Sequence, residues 1–156
     1  MTSILKIASI SQIKRTAGRN AFYAGSSPLG INIDNSDIDI MIPYKRESSY
    51  LKAVERARTR YPELKERASS LDKTNKTVFT GRVNGKDVDL VYAHGEKAQN
   101  FASAYHKAKN GLSPEKAAKI RDKKNKLKSS WFFPEHRYKR YKNQVADDLG
   151  LRKHYF

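Results

Sequence analysis

Two carboxylates on alternate residues open the run Asp37-Ile38-Asp39-Ile40-Met41-Ile42, separated by ten residues from a Gly25-Ser26 pair. On a strand, successive side chains point to opposite faces, so both acids share one face and Ile38, Ile40 and Ile42 share the other. Residues i and i+2 sit roughly 7 Å apart at the backbone, close enough for their oxygens to converge on one hard cation or a pair of them. Like charges that close repel unless a metal ion, a base or a buried proton compensates. Gly25 lets backbone approach a ligand, and the amide and hydroxyl of Ser26 suit phosphate oxygens. The plain alternative is a Gly-Ser turn beside a solvated edge strand.

Gly25-Ser26, Leu29-Gly30 and Ser36-Asp37-Ile38-Asp39-Ile40, in that order and spacing, resemble the signature of the polymerase-beta-like nucleotidyltransferase superfamily. The resemblance covers roughly residues 22–92 and fades beyond them. It implies a third acid on a later strand, flanked by apolar residues, and Val88-Asp89-Leu90-Val91 matches that pattern. Asp87 lies on the same face of that strand as Asp89. The family pattern favours Asp89, which sits between Val88 and Leu90, and Asp87 reads as a strand-end residue paired to a nearby lysine.

The resemblance implies that Asp37, Asp39 and Asp89 are the catalytic and metal-holding residues, with Gly25, Ser26 and Ser36 binding the nucleotide. Oxygen donors without thiol or imidazole select magnesium or manganese over zinc. Two such ions clamp the attacking and leaving oxygens of an in-line displacement. The implied reaction moves a nucleoside monophosphate from a nucleoside triphosphate to an acceptor hydroxyl and releases pyrophosphate.

Ser3 to Ala17 carries Ile4, Leu5, Ile7, Ile10 and Ile13 and predicts a helix or two short ones. Ala21 to Ala24 then forms a short strand that delivers Gly25-Ser26. Pro28 to Asn35 reads as a connection with one turn closed by Gly30, Asp34-Asn35-Ser36 as a turn, and Pro43 as the end of the second strand. Glu47 to Tyr61 predicts a helix with Tyr50, Leu51, Val54, Ala57 and Tyr61 on one face. Asn84-Gly85 between two apolar-rich runs signals a hairpin, with Asp89 on its second arm. The fold class is therefore α/β (α+β): a small mixed or antiparallel sheet of about four strands, with helices packed on one face. The core spans 1–95, and a basic helical C-terminal region, 96–156, packs on it.

In that region Ala98, Phe101, Ala102, Tyr105 and Ala108 mark a packed helix, and Ser113-Pro114 caps the next one. Lys116, Lys119, Lys123 and Lys126 recur at spacings of three, four and three, along one helical face. Lys124, Lys128, Arg137, Lys139, Arg140 and Lys142 follow, interleaved with Trp131, Phe132, Phe133, Tyr138 and Tyr141. Basic and aromatic mixing suits phosphate contacts plus base stacking, although Trp131 to Phe133 read as core. Gln144 to Leu151 predicts a short last helix.

The 156 residues carry 32 Lys and Arg against 16 Asp and Glu, a net charge of +16 that points to a polyanion, most often nucleic acid. No apolar run reaches the roughly 20 residues of a membrane span and no cysteine is present, which is the composition of a cytoplasmic protein without membrane contact. The histidines His94, His106, His136 and His154 are scattered singly, so a zinc site is not expected. The charge disfavours cationic acceptors and favours RNA, a tRNA or other 3′ end, cradled by Lys116, Lys119, Lys123, Lys126, Arg137, Lys139 and Arg140. A homodimer or partner chain would complete a nucleotide site for which this short chain has little room. Two rivals remain: nucleotidylation of a protein hydroxyl, as in toxin-antitoxin pairs, and a nucleic-acid-binding module without catalysis.

Overall fold

The computed structural model describes residues 9–33, 37–67, 75–130 and 134–156. In chain order these form α1 (Ile10–Ala17), β1 (Phe22–Ala24), β2 (Ile38–Tyr44), α2 (Glu47–Arg60), β3 (Lys65–Glu66), β4 (Lys76–Val83), β5 (Lys86–His94), α3 (Glu96–Gly111), α4 (Pro114–Ser129) and α5 (Pro134–Asp148). A turn of 3-10 helix, Arg152–His154, follows. The expected Ile4, Leu5 and Ile7, the turn 34–36 with Ser36, and Trp131 to Phe133 lie outside the described residues.

The sheet has five strands in the order β1-β2-β5-β4-β3, one more than expected, and is mixed. Only β2 and β5 run parallel; β1 pairs β2, β4 pairs β5 and β3 pairs β4 antiparallel. Asn84 and Gly85 take φ of 53° and 78°, the two left-handed positions that a tight hairpin with matching twist needs. Pro43, expected to end β2, pairs with Ala93 inside it. β1 reaches only from Asp39 to Met41, so β2 is an edge strand at Pro43 and the missing N–H costs no ladder bond.

Helices cover both faces of the sheet, where one was expected. α1 and α2 press Ile13, Ala17, Tyr50, Val54 and Ala57 onto Ile40, Ile42, Leu90 and Tyr92. On the opposite face, residues of α3, α4 and α5, among them Ala98, Ala102, Tyr105, Ile120 and Val145, pack with Phe22, Ala24, Met41 and Ala93. The reason lies in β2 itself. Its carboxylate face turns apolar two residues after Asp39, at Met41, and Ala93 does the same on β5, so that end of the face must be covered. Small residues at 98 and 102 let α3 approach the sheet closely.

Two helices differ from their periodicity. Leu51 is 55% exposed and Ala53 takes the buried place on α2, because the stripe Tyr50-Ala53-Val54-Ala57 fits the sheet more closely. α5 starts at Pro134, ten residues before the expected Gln144, with proline and Glu135 in the first turn where both are favoured. Ser9 and Ser113 cap α1 and α4, each accepting a hydrogen bond from the N–H three residues on, at 3.2 Å.

Candidate active site

Parallel pairing of β2 with β5 makes Asp39 and Asp89 register partners. Adjacent strands in register point paired side chains the same way, so both carboxylates rise side by side from the wet end of the helix-covered face. Asp37 sits one residue before β2, exposed. Asp87 pairs instead with Arg82 across the hairpin at 3.7 Å, both side chains well exposed. It is the strand-end residue expected, with an arginine rather than a lysine as its partner.

The Asp39 carboxyl is pushed up to about 6, first by burial, then by Asp89 and Asp37, while Arg67 opposes the shift. Two neighbouring acids raise the charging cost of a third, which is the signature of a local negative field without full compensation. Arg67 supplies part of the missing charge through a contact of 3.3 Å from its Nη2 to Asp89 Oδ1. Among the described residues, no group of three or more His, Asp or Glu side chains is gathered closely enough to hold a metal ion. The donor chemistry is nevertheless that of a hard divalent cation: oxygens only, half-buried, and short of positive charge.

Gly25 closes the corner above this pair. Its φ is +77°, and a Cβ built there would run into Asp39 Oδ2, so any side chain at this position would collide with the carboxylate. The Tyr105 hydroxyl donates to the Gly25 carbonyl at 2.8 Å and holds the corner from α3.

Three hollows converge here. A cleft of about 370 Å³ lies between Asp39, Gly25, Lys76, Phe101, Tyr155 and Phe156. Another, of about 390 Å³, adjoins Asp39 from the side of Tyr23, Ser27 and Lys86. Behind the corner, a cavity of about 160 Å³ is lined by Gly25, Ser26, Tyr105, Lys124 and Lys142 among apolar residues of α5.

Lys124, counted from the sequence among the basic residues that suit phosphate contacts, is 4% exposed. Its ammonium donates to the Ile31 carbonyl at 2.7 Å. Burial, followed by the like charges of Lys142 and Lys128, lowers its pKa to about 8. Among the described residues no carboxylate pairs with this ammonium, so its buried charge is offset only by the Ile31 carbonyl, a setting an anion would stabilise. The signal was present in the sequence: Ala117, Ile120, Lys124 and Leu127 recur at three, four and three, so the lysine occupies a place on the apolar stripe. Phe101 and Tyr105 were marked by their spacing only as a packed helix face, and Tyr155 not at all, because tertiary packing brings them to the corner.

The basic residues expected to cradle nucleic acid are all exposed, on two helices. Lys119, Lys123, Lys126, Arg137, Lys139 and Arg140 are exposed on α4 and α5, whereas Lys116 lines a separate groove beside α3. Lys123 stands 4.5 Å over the Tyr141 ring, and Lys128 and Lys142 stand 5.1 and 4.8 Å from the Tyr138 ring. Each of the tyrosines expected to stack bases thus has a lysine of the same helix pair beside its ring.

No helix among the described residues is long and apolar enough to cross a membrane. No curated protein and no solved structure matches the chain. A family model does match it, over residues 6–136, a span that takes in the whole sheet and α1 to α4. The chain belongs to the family described as "Domain of unknown function (DUF4269)".

Proposed function

We propose that this protein is a metal-dependent nucleotidyltransferase that moves a nucleoside monophosphate from a nucleoside triphosphate to a hydroxyl of nucleic acid. The observation that carries this reading is the register pairing of Asp39 with Asp89 directly beneath Gly25, with an anion-seeking cavity immediately behind. Acids on one side of a glycine, and on the other a small, largely apolar hollow whose charged groups are two lysines, suit a substrate that brings both its own negative charge and its own cations.

Asp39 and Asp89, with Asp37 at the rim, are the residues that would hold magnesium or manganese. Bound there, the ions would neutralise charge that builds on the phosphate oxygens. The chain's own groups account for the rest. Ser26, Lys124 and Lys142 receive the outer phosphates, so the leaving group points into the cavity. Gly25 lets those phosphates approach within reach of Asp39. Asp89 commits Oδ1 to Arg67 and keeps Oδ2 to orient the acceptor hydroxyl and take its proton. A bond forms from the acceptor oxygen to the α-phosphorus as the bond to the bridging oxygen breaks, and pyrophosphate departs.

The test is incubation of the full chain with each labelled nucleoside triphosphate and magnesium, in parallel with RNA, single-stranded DNA and protein. Label should appear in nucleic acid, and Asp39→Asn should reduce incorporation by at least about a hundredfold, the scale of losing a main transition-state contact. Incorporation at the normal rate by that variant would sink the assignment, and label confined to protein would replace the acceptor.

A further inference from the structure

A groove of about 560 Å³ runs along the side of α3 away from the sheet, and the proposed chemistry does not use it. Asn100, Ser103 and Lys107 of α3, Lys116 of α4, and Lys153 and His154 of the last turn line it; Asp148 is the one acid among its lining residues. Three lysines against one carboxylate, with amide and hydroxyl groups between them, suit a chain of phosphates more than a compact apolar ligand.

The groove shares its wall with the Asp39 cleft. Phe101, about 100° round α3 from Asn100, faces that cleft. At the last turn Lys153 and His154 face the groove, while Tyr155 and Phe156, next in the chain, line the cleft. Tyr155 is 57% exposed, and its ring lies 6.0 Å from that of Phe101. At the junction of a basic groove and a carboxylate cleft there is therefore an aromatic face open to solvent. Among the described residues of α4 and α5, the rings of Tyr138 and Tyr141 instead carry lysine ammonium groups 4.5–5.1 Å from their centroids.

We propose that this groove is the track for a single-stranded polynucleotide. Backbone phosphates lie along Lys107, Lys116 and Lys153, the terminal base stacks on Tyr155, and the 3′ hydroxyl enters the cleft at Asp39. Strand binding in the groove stands on the groove's own chemistry; delivery of the hydroxyl rests on the transferase reading above.

The experiment is fluorescence anisotropy of short labelled single-stranded RNA and DNA oligonucleotides with the metal-free full chain, over a range of salt. The double variant Lys107→Glu/Lys153→Glu should bind at least about tenfold more weakly at low salt, and its salt slope should fall by roughly 1.4 for two lost phosphate contacts. Tyr155→Ala should weaken binding by about fivefold or more, with the salt slope unchanged, because stacking releases no counterions. The same charge change on the other face of the sheet, Lys45→Glu/Lys52→Glu, should leave affinity within about twofold of the original.

Wild-type affinity in the groove variant overturns the proposal. So does a larger loss in Lys119→Glu/Lys123→Glu, which would place the strand on α4, or displacement of the oligonucleotide by polyglutamate as readily as by unlabelled strand, which would make the partner an acidic protein. Binding that depends on the groove, in a protein that incorporates no nucleotide, keeps the track and removes the transferase reading.

Discussion

At the scale of single residues, the site turns on the burial of Asp39 and, after it, on the two acids beside it. With its carboxyl at about 6 in the fold and near 3.8 in the free chain, the folded form holds more protons across that window. Stability of the metal-free protein must therefore fall as pH rises from about 4 through 6. Asp39→Asn removes this dependence and should stabilise the metal-free protein at pH 7 by about 1–2 kcal/mol, allowing for the solvent contact the carboxylate keeps. Thermal melts across pH check both statements, and an unchanged profile in the variant would locate the strain elsewhere. Magnesium should reverse the penalty, adding about 2.7 kcal/mol at a hundred times its dissociation constant in the original protein and nothing in Asp39→Asn. Gly25→Ala should cost about 1–3 kcal/mol, since it joins an unfavourable φ to a collision with Asp39.

Among the elements, α4 is the one whose stability and proposed ligand are coupled. Its stripe Ala117-Ile120-Lys124-Leu127 places an ammonium where an apolar group would pack, and Arg121 and Lys124 both reach back to carbonyls of the loop after Gly25. The folded pKa of about 8 lies below the free value of 10.5, so the unfolded chain holds more protons between them. Stability consequently rises as pH rises through that window. Lys124→Met should abolish this rise and match or exceed the original stability at pH 7, while binding of inorganic tripolyphosphate falls by about tenfold or more. Chemical denaturation at pH 7 and pH 10, with calorimetric titration of tripolyphosphate, measures the two effects separately. Tripolyphosphate affinity that survived the substitution would remove Lys124 from the phosphate site.

For the whole molecule, the net charge of +16 acts against the compact state. Raising salt from about 0.05 to 0.5 M shortens the Debye length from roughly 14 to 4 Å and should raise the melting temperature by several degrees. A single-stranded oligonucleotide at low salt should do the same, since it binds the folded form. A melting temperature that fell on adding salt would mean that ion pairs such as Arg58 with Glu66 and Glu55 outweigh the repulsion.

The local chemistry of the sequence settled those parts whose cause lies within a few residues. Alternation placed Asp39 on one face of β2, Asn84-Gly85 made the hairpin that carries Asp89, and Ser113-Pro114 started α4 where expected. Fold class was legible for the same reason, because periods of two and near four survive without knowledge of contacts. Only tertiary structure decided that β2 and β5 pair in parallel with Asp39 against Asp89, since register between strands some 50 residues apart is set by packing on both faces. Packing also put helices on the second face, set lysines over the rings of Tyr138 and Tyr141, and left Tyr155 open at the cleft. Which face of a helix meets solvent depends on what the rest of the chain lays against it, and no window of sequence contains that neighbour.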